Sequence, residues 1–361
     1  MKMLSCACHI EKGNFLLDLN LQLPLSGIVG ITGHSGSGKS TFLKFLAGFE
    51  RDSGTITLPN IVWQNDKVFV PPHKRNVGFV FQQNALFSHL TVKKNIEYGF
   101  KRYKKQNPEK RVKITMDEVI SVFQMENLLE KKPNQLSGGQ QSKVALARAL
   151  AANPTLLLCD EPLANLDDSS REEILNYLKQ IPHQFQIPIY YVSHSLSELA
   201  SISDVLLIMD NGKVLKIADA QDVLTDISLP LAQSMHACSF LQGTLIDYDD
   251  QFKLAKVQLK NQMLYVPAGL KQNRHKSTRV IVSAKEVALS KTPPATSRSI
   301  LNSLEAVVEK YSHLPNGQTI VQLSVDSQLI IAKITTYSAE KMALQKGGKV
   351  FAEVKAVTLT L

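Results

Sequence analysis

The spacing of hydrophobic and polar residues changes along the chain. In the first part, short apolar runs are followed by segments with helical spacing. Gly27–Thr32 predicts a buried strand leading into a glycine-rich loop, and Thr41–Ala47 predicts a helix that ends at Gly48. Leu156–Leu158 and Ile189–Val192 predict two more buried strands, each followed by a helix. This alternation predicts a mainly parallel sheet with helices on its faces.

A polar segment interrupts this alternation. Residues 88–135 have helical character and few apolar positions, so we expect a helical subdomain over about residues 88–150. Lys101–Lys113, inside this segment, carries seven basic residues and the single acid Glu109. The pattern changes again after Leu229, where helical spacing stops. Short alternating segments then predict an all-β region; they include Lys256–Leu259, Arg279–Val282 and Thr319–Leu323.

The β region contains an internal repeat. The matching segments are Val280–Leu289 with Val350–Leu359, and Val257–Leu259 with Val321–Leu323. In this alignment Lys285 corresponds to Lys355. Two copies of one small β unit are therefore predicted, over residues 238–290 and 295–361, with residues 291–297 as the linker. Chance similarity between strand patterns is the alternative.

Length and charge narrow the possible classes of protein. A chain of 361 residues predicts two or three domains and can bury a sizeable core. The net charge of +9 favours a nucleic acid, an anionic membrane surface or a small anionic ligand as partner. No apolar run approaches the roughly 18 residues of a membrane span, and the N-terminus shows no export signal. The cysteines are expected to be reduced structural thiols, because the spacing of Cys6 and Cys8 suits neither zinc nor a redox pair.

The segment Gly33–Ser40 fits the phosphate-loop pattern G-x-x-x-x-G-K-[ST] and lies between a predicted strand and a predicted helix. In such a loop, backbone N–H groups and the helix N-terminus face phosphate oxygens. Lys39 would reach the β- and γ-phosphates, and the Ser40 hydroxyl would bind Mg²⁺. The candidate nucleotide-binding residues here are Gly33, Ser35, Gly36, Ser37, Gly38, Lys39, Ser40 and Thr41.

Two carboxylates follow the apolar strand Leu156–Leu158. Asp160 is expected to hold the Mg²⁺ shell, and Glu161 to act as the general base that polarises an attacking water. A pair of acids at a strand end is usually only a solvated terminus. Together with a phosphate loop it favours nucleotide hydrolysis.

A third motif, Leu136–Gln140, opens a helix that continues to Leu150. Ser137 is expected to cap this helix, and Gly138 and Gly139 to expose backbone N–H groups at its N-terminus. A simple cap would explain a Ser-Gly pair. It would not explain LSGGQ about twenty residues before the carboxylate strand.

With these motifs in this order, the chain resembles the ATP-binding subunits of ABC transporters. The resemblance implies an α/β P-loop NTPase fold with a helical subdomain over residues 1–230, followed by an all-β, OB-like domain of two repeats. By position, Gln82 resembles the Q-loop glutamine that touches Mg²⁺, and His194 resembles the switch histidine that contacts the γ-phosphate. Ala164–Asp167 resembles the D-loop at the dimer interface, and Phe15 is the nearest candidate for stacking on adenine.

The family's mechanism implies the partners. Two copies pack head to tail as a homodimer, and each ATP lies between the phosphate loop of one copy and Ser137–Gln140 of the other. ATP and Mg²⁺ are the implied cofactors. Closure couples to nucleotide binding, and hydrolysis reopens the pair. A soluble, nucleic-acid-associated ABC ATPase is the alternative, although such chains usually carry two cassettes and no nucleic acid is expected here.

The segment from Pro71 to Asn95 resembles the importer branch of the family, which serves sugars, polyamines, sulfate and molybdate. Separate permease subunits are therefore implied, together with a periplasmic binding protein acting indirectly. The permease is expected to contact Phe87, His89 and Leu90. This implies a peripheral location at the cytoplasmic face of the inner membrane, where the basic run would face anionic headgroups.

Residues 295–361 resemble the molybdate-binding Mop/TOBE unit. A tetrahedral dianion needs convergent N–H groups, hydroxyls and a cation. Ser299, Asn302 and Lys355 are the candidates for an oxyanion site with a possible regulatory role, while Leu301 stands where the family often has arginine. Molybdate or tungstate is the expected cargo; sulfate, polyamine or sugar remain the alternatives.

Overall fold

The computed structural model describes residues 2–106, 108–109, 112–268, 277–293, 299–355 and 357–360. The chain divides into two compact units. The first comprises Met1–His194 and Ile202–Ala218, and the second comprises Ser195–Ser201 and Asp219–Leu361. In the described part of the chain, no helix combines the length and the apolar character needed to cross a bilayer.

The first unit contains an antiparallel sheet and a mainly parallel one. Its strands are β1 (Met3–Lys12), β2 (Phe15–Pro24), β3 (Ile28–Gly33), β4 (Ser53–Leu58), β5 (Ile61–Gln64), β6 (Val77–Val80), β7 (Leu156–Asp160), β8 (Ile189–Val192), β9 (Val205–Asp210) and β10 (Lys213–Asp219). Its helices are α1 (Lys39–Ala47), α2 (Val92–Gln106), α3 (Met116–Val122), α4 (Gly138–Ala151) and α5 (Asp168–Phe185), and α6 (Leu196–Ile202) falls mostly in the second unit.

The six-stranded sheet, in the order β10-β9-β3-β8-β7-β6, positions the predicted motifs. The pairs β3–β8, β3–β9, β6–β7 and β7–β8 are parallel, which confirms the predicted sheet type. Strand β3 is buried from Ile28 to Thr32, as expected of a strand between two parallel neighbours with both faces covered. The carboxyl ends of β3, β6, β7 and β8 therefore meet at one edge of the sheet, where ligands bind in open α/β folds.

The polar segment after β6 is less helical than its pattern indicates. It forms helices α2 and α3, short 3₁₀ helices at Glu126–Leu128 and Pro133–Gln135, and then α4. Of the basic run, Lys110 and Arg111 lie outside the described residues. Asn153, just after α4, holds the residues that precede α3, because its side-chain amide bonds to the backbone of both Lys113 and Ile114.

The second unit is built mainly from antiparallel strands. After α7 (Ala220–Thr225) and α8 (Pro230–Gln233) come β11 (Cys238–Asp249), β12 (Leu254–Gln258), β13 (Met263–Pro267), β14 (Ser277–Ser283), β15 (Val287–Ser290), β16 (Asn302–His313), β17 (Gln318–Val325), β18 (Gln328–Thr335), α9 (Thr336–Lys341), β19 (Lys349–Val354) and β20 (Val357–Thr360). The expectation that helices stop after Leu229 was wrong. Thr335 caps α9 by accepting from the Ser338 N–H, a local signal within a strand pattern.

The two repeats exchange their last strands. One sheet has the order β13-β12-β11-β14-β20, and the other has the order β18-β17-β16-β19-β15. Strand β15 pairs with β19, where Val287 faces Val354, and β20 pairs with β14, where Val357 faces Val282. The strand order is the same in both sheets, as an internal repeat requires. Neither repeat completes its sheet alone, so the two repeats fold as one unit.

Glutamine side chains at the hairpin turns link the same two repeats. The amide of Gln328 accepts from the Gln242 N–H at 2.7 Å and donates to its carbonyl at 2.9 Å. In the other direction, the amide of Gln262 accepts from the Glu305 N–H at 2.7 Å and donates to its carbonyl at 3.0 Å. Each amide therefore bonds to β11 or β16 of the opposite repeat just before that strand begins to pair with β12 or β17, as a backbone peptide would.

Candidate functional site

The phosphate loop follows β3 and enters α1 at Lys39. Gly38 has a φ of 99°, a backbone conformation that favours glycine, and a Cβ there would lie 2.9 Å from Cζ of Phe15. The Lys39 side chain folds into the loop, where its ammonium donates to the carbonyls of Gly33 and His34 at 2.9 and 2.8 Å and to Oγ of Ser37 at 3.3 Å. Burial lowers the pKa of Lys39, against the attraction of two nearby carboxylates.

Ser40 meets the first of the two predicted acids. Its hydroxyl donates to Oδ1 of Asp160 at 2.9 Å. Asp160 ends β7 and is 7% exposed, and burial raises its pKa even though the Ser40 hydrogen bond lowers it. A hydroxyl and a carboxylate held together at the edge of a phosphate loop form the hard oxygen set that suits Mg²⁺.

Each carboxylate oxygen of Glu161 has a side-chain partner. Nε2 of His194 lies 2.7 Å from Oε1, and Nε2 of Gln82 donates to Oε2 at 3.3 Å. The backbone of Glu161 has a φ of 47°, in the left-handed region that non-glycine residues rarely adopt. Such conformations persist only where the surrounding structure holds them. The structure therefore brings together all three residues that the sequence assigned to catalysis.

The Leu136–Gln140 motif leads into helix α4 as predicted. Ser137 accepts from the Gln140 N–H at 3.3 Å, and the Gln140 side chain accepts from the Ser137 N–H at 3.1 Å, so the two residues form a capping box. Gly138 is exposed and Gly139 is buried. A Cβ on Gly139 would lie 2.8 Å from both Cβ and Oγ of Ser170 on α5. Close packing inside the chain therefore requires the second glycine, a constraint that the sequence did not reveal.

The predicted D-loop leads into α5. Asp167 caps this helix by accepting from the Ser170 N–H at 2.9 Å and from the Ser169 hydroxyl at 2.7 Å. These hydrogen bonds hold the pKa of Asp167 below its ordinary range. Ser142 of α4 donates to the Asn84 side chain at 3.2 Å and to the Pro162 carbonyl at 3.3 Å. A single buried hydroxyl thus contacts the segments that follow Gln82 and Glu161.

A groove lined by aromatic side chains lies beside Gln82. The centroids of the Phe87 and Tyr98 rings are 4.7 Å apart, and Cζ of Arg148 lies 5.0 Å from the centroid of the Phe87 ring. The exposed rings lining this groove are Phe49, Phe81 and Tyr98. Asn95 is fully buried and holds the loop in place: its amide bonds to the N–H and carbonyl of Phe87 and to the carbonyls of Leu90 and Thr91. The sequence motif contained Asn95 but gave no sign of this role.

The three predicted oxyanion residues differ in burial and in hydrogen bonding. The side-chain amide of Asn302 accepts from the Tyr265 N–H at 2.7 Å and donates to its carbonyl at 2.8 Å, and Asn302 is 4% exposed. Ser299 and Lys355 are exposed. Both polar atoms of Asn302 therefore already serve a link between β13 and β16. The oxyanion assignment stays a prediction. No group of His, Cys, Asp and Glu residues suited to a metal occurs among the described residues.

The chain is similar to known ATP-binding proteins, as the arrangement around the phosphate loop indicates. Residues 16–164 match the family model described as ABC transporter, and residues 298–361 match the TOBE domain. The molybdenum import ATP-binding protein ModC of Saccharophagus degradans is 38% identical over 347 residues, which are 95% of this chain and 94% of that protein. The ModC protein of Aromatoleum aromaticum is 37% identical over 348 residues, covering 96% and 91% of the two chains. The chain belongs to the ABC transporter family.

Solved structures show the same fold for the ATP-binding part of this ABC ATPase. A nucleotide-free ATP-binding cassette from an ABC transporter matches with a TM-score of 0.54 at 24% identity, over 64% of this chain and 96% of that chain. The ATP-binding cassette MJ0796, in a dimeric post-hydrolysis state bound to ADP and Pi, matches with a TM-score of 0.50 at 27% identity, over 60% and 98%. These matches and the TOBE model confirm the predicted fold class.

Proposed function

We propose that this chain is the ATP-hydrolysing subunit of a bacterial ABC importer for molybdate or tungstate. The observation that carries the proposal is the meeting of the phosphate loop, Asp160, Glu161, Gln82 and His194 at one edge of a parallel sheet. The near full-length likeness to molybdenum import ATP-binding proteins supports the choice of cargo. The ATPase domain is assigned to residues 1–230, and the two β repeats to residues 238–290 and 295–361.

Each residue of the site has a proposed task. Lys39, now bonded to loop oxygens, turns its ammonium to the β- and γ-phosphates, while loop N–H groups hold the remaining phosphate oxygens. His194 contacts the γ-phosphate and orients the carboxylate of Glu161. Glu161 accepts a proton from the attacking water at Oε1 or Oε2 as the general base. Each oxygen keeps a second lone pair for the water, because His194 and Gln82 occupy only one acceptor position each.

The residues present fit a magnesium ion. Ser40, Asp160 and Gln82 would hold it, because hydroxyl, carboxylate and amide oxygens are the ligands that Mg²⁺ prefers. When bound, the ion neutralises negative charge on the β- and γ-phosphates. For Gln82 to contribute its amide oxygen, the side chain must release Glu161 or present the oxygen while its nitrogen still donates.

The site is proposed to be completed by a second copy. Ser137–Gln140 begins helix α4, so its first N–H groups lack partners within the helix and suit a phosphate anion. Gly138 is exposed and free to approach a ligand. In the head-to-tail arrangement, these N–H groups would face the ATP held by the phosphate loop of the partner copy. The dimeric state of the related cassette MJ0796 supports this arrangement.

The aromatic groove beside Gln82 is the proposed docking site for the permease, with Phe87, His89 and Leu90 as contacts. The fully buried Asn95 gives the segment 87–91 a fixed shape, which suits recognition of a folded partner. Exposed aromatic rings are typical of protein interfaces. A movement of Gln82 during hydrolysis would reach the permease through this neighbouring loop.

Helix α2 supports a location at the cytoplasmic face of the inner membrane. Lys94, Tyr98, Arg102 and Lys105 follow one another at helical spacing, and all are exposed. Tyr98 and Arg102 also line the aromatic groove, so the basic stripe borders the proposed permease site. Such a stripe favours anionic headgroups by about 1 kcal/mol per basic residue near the surface.

Vesicle binding tests this location. The chain is expected to co-sediment with phosphatidylglycerol vesicles but not with phosphatidylcholine vesicles at about 100 mM salt. Replacing Lys94, Lys101, Arg102 and Lys105 by glutamine should weaken binding at least about tenfold. The matched control removes equal charge in the second unit, at the exposed residues Lys260, Lys341, Lys346 and Lys349. Equal loss in both variants would contradict a specific role for α2.

Reconstitution decides the cargo. The chain, assembled with its permease and binding protein in vesicles, should hydrolyse ATP faster when molybdate is present on the binding-protein side. Stimulation by sulfate, a polyamine or a sugar, without stimulation by molybdate, would keep the ATPase and overturn the cargo. If the predicted oxyanion site in residues 295–361 is regulatory, molybdate added on the side of the ATPase should lower the rate of ATP hydrolysis by the same complex.

A further inference from the structure

Arg75 is a buried cation in the turn between the 3₁₀ helix Pro72–Lys74 and strand β6, and its side chain is 1% exposed. Its guanidinium donates four hydrogen bonds, and every acceptor is uncharged. Nε donates to the Val70 carbonyl at 2.7 Å, Nη1 to the carbonyls of Phe45 and Leu46 at 2.9 Å each, and Nη2 to Oε1 of Gln64 at 3.0 Å.

A buried guanidinium usually has a carboxylate partner, because an unpaired charge is costly to remove from water. In the described part of the chain no Asp or Glu pairs with Arg75, and burial lowers its pKa to about 10. The rings of Trp63 and Phe69 lie 5.8 and 5.2 Å from its Cζ and offset part of this cost. The charge is therefore balanced by oriented carbonyls and aromatic faces.

The decisive carbonyls belong to the end of the phosphate-loop helix. Phe45 and Leu46 lie in the last turn of α1, whose carbonyls carry the negative end of its dipole. The Phe45 carbonyl also accepts from the Gly48 N–H at 3.0 Å. Gly48 ends this helix with a φ of 81°, and a Cβ there would lie 2.7 Å from Cζ of Arg75. The guanidinium thus caps α1 at the point where its backbone turns away.

We propose that Arg75 is a positioning residue for ATP hydrolysis, which fixes the far end of the phosphate-loop helix against the strand that leads to Gln82. Helix α1 begins at Lys39, in the phosphate loop, and its last turn contacts Arg75. Strand β6 begins two residues after Arg75 and is followed by Gln82, which contacts Glu161. One side chain therefore sets the spacing between the phosphate loop and the groups around the proposed base. This inference rests on the ATPase activity proposed above.

Arg75→Lys tests this role in the full-length chain. Lysine keeps the charge, but one ammonium cannot reach acceptors on α1, on Val70 and on Gln64 together. The rate at saturating ATP should fall at least about tenfold, since small displacements at a reacting centre are costly. Affinity for a fluorescent ATP analogue should stay within about threefold, because Lys39 and the loop remain. The rate is expressed per folded molecule, from circular dichroism.

Phe69→Leu is the matched control, because it removes a ring beside the guanidinium and leaves all four hydrogen bonds. It should lower the melting temperature while the rate per folded molecule stays within about twofold. An unchanged rate in Arg75→Lys, or an equal loss of rate in Phe69→Leu, would overturn the positioning role.

Gly48→Ala covers the case in which Arg75→Lys does not fold. Its Cβ displaces the guanidinium while keeping the charge, so the same loss of rate with retained nucleotide binding is expected, and an unchanged rate contradicts the proposal. Wild-type hydrolysis in the same assay reports on the ATPase itself. An inactive wild-type chain would overturn that activity and this role with it, a result distinct from an active chain indifferent to Arg75.

Discussion

His194 and Glu161 are in direct contact, with Nε2 of the histidine 2.7 Å from Oε1 of the carboxylate. Gln82 donates to the other oxygen, Oε2, at 3.3 Å. The proposed base is thus bracketed by residues from the ends of two other strands of the same sheet. Each oxygen keeps a lone pair, so an attacking water can bond to Glu161 while both contacts persist. Strand ends that shift relative to each other would change how the base is oriented.

Glu161→Gln is expected to abolish hydrolysis while ATP binding continues. The amide keeps the shape of the side chain but cannot accept the proton from water, and loss of a general base costs about 100-fold to 10,000-fold in rate. ATP should then accumulate on the chain and hold two copies together. Hydrolysis and gel filtration with ATP measure both effects. Normal turnover in this variant would remove Glu161 from the role of base.

Asp160→Asn separates stability from activity. Burial raises the pKa of Asp160, so the folded chain retains this proton at a pH where the unfolded chain has released it. The ionised carboxylate therefore opposes folding at neutral pH, and this opposition disappears as the pH falls through the folded pKa toward the ordinary value of 3.8. The asparagine side chain is nearly isosteric but uncharged, so the substitution should raise the melting temperature at neutral pH, with a gain that shrinks on acidification.

In Asp160→Asn the rate of ATP hydrolysis should fall while the melting temperature rises. Without the carboxylate, the proposed metal site loses the one anionic group among its three protein ligands, and the rate should fall by about 100-fold or more. Calorimetry across the pH range and a magnesium titration of the ATPase measure the two effects. A variant that melts at a lower temperature at every pH would contradict the destabilising effect of the charge.

Substitution by alanine should have different effects on stability at Gly138 and at Gly139. Gly139→Ala places a Cβ 2.8 Å from Ser170, so it should cost about 1–3 kcal/mol in the free energy of unfolding through overpacking. Gly138→Ala meets Cδ2 of Leu166 at 3.4 Å, an ordinary contact, and should be nearly neutral. Chemical denaturation measures this difference. If Gly138 faces the partner's ATP, its variant should still lose ATP-dependent dimerisation.

Asn302→Ala tests whether the buried side-chain amide of β16 serves stability or ligand binding. Removing it leaves the Tyr265 N–H and carbonyl without their partner, which should cost about 1–3 kcal/mol of stability in the second unit. Molybdate titration calorimetry on the same variant tests the oxyanion role. Full stability combined with lost molybdate binding would show that ligand binding, rather than the strand link, is its task.

Local signals made much of this protein predictable. The glycine loop, the apolar strand ending in Asp160 and the capping box at Ser137 depend on residues close in sequence, and each appears where its pattern predicts. The helix after the phosphate loop ends at Gly48, as its spacing indicates. These features are set by backbone preferences and by hydrogen bonds within one turn.

Local sequence patterns did not predict the contacts between residues that are distant in the chain. Nothing in a basic Pro-Pro-His-Lys-Arg segment indicates that Arg75 is buried against α1, because a run of charges is normally solvated. Asn302 looked like a ligand in its motif, and only the folded chain gives its amide another partner. The helix α9 was hidden within a region of alternating residues.

The sequence by itself determined which chemistry the chain carries and the strands and helices that flank the phosphate loop and Asp160, since motif spacing and periodicity are properties of neighbouring residues. The tertiary structure alone decided which side chains meet: Glu161 with His194, Arg75 with the end of α1, and the last strand of each repeat with the other repeat's sheet. An alternating strand exposes the same N–H and C=O groups to any neighbour, so its pattern does not name its partner. That choice depends on packing of the whole unit.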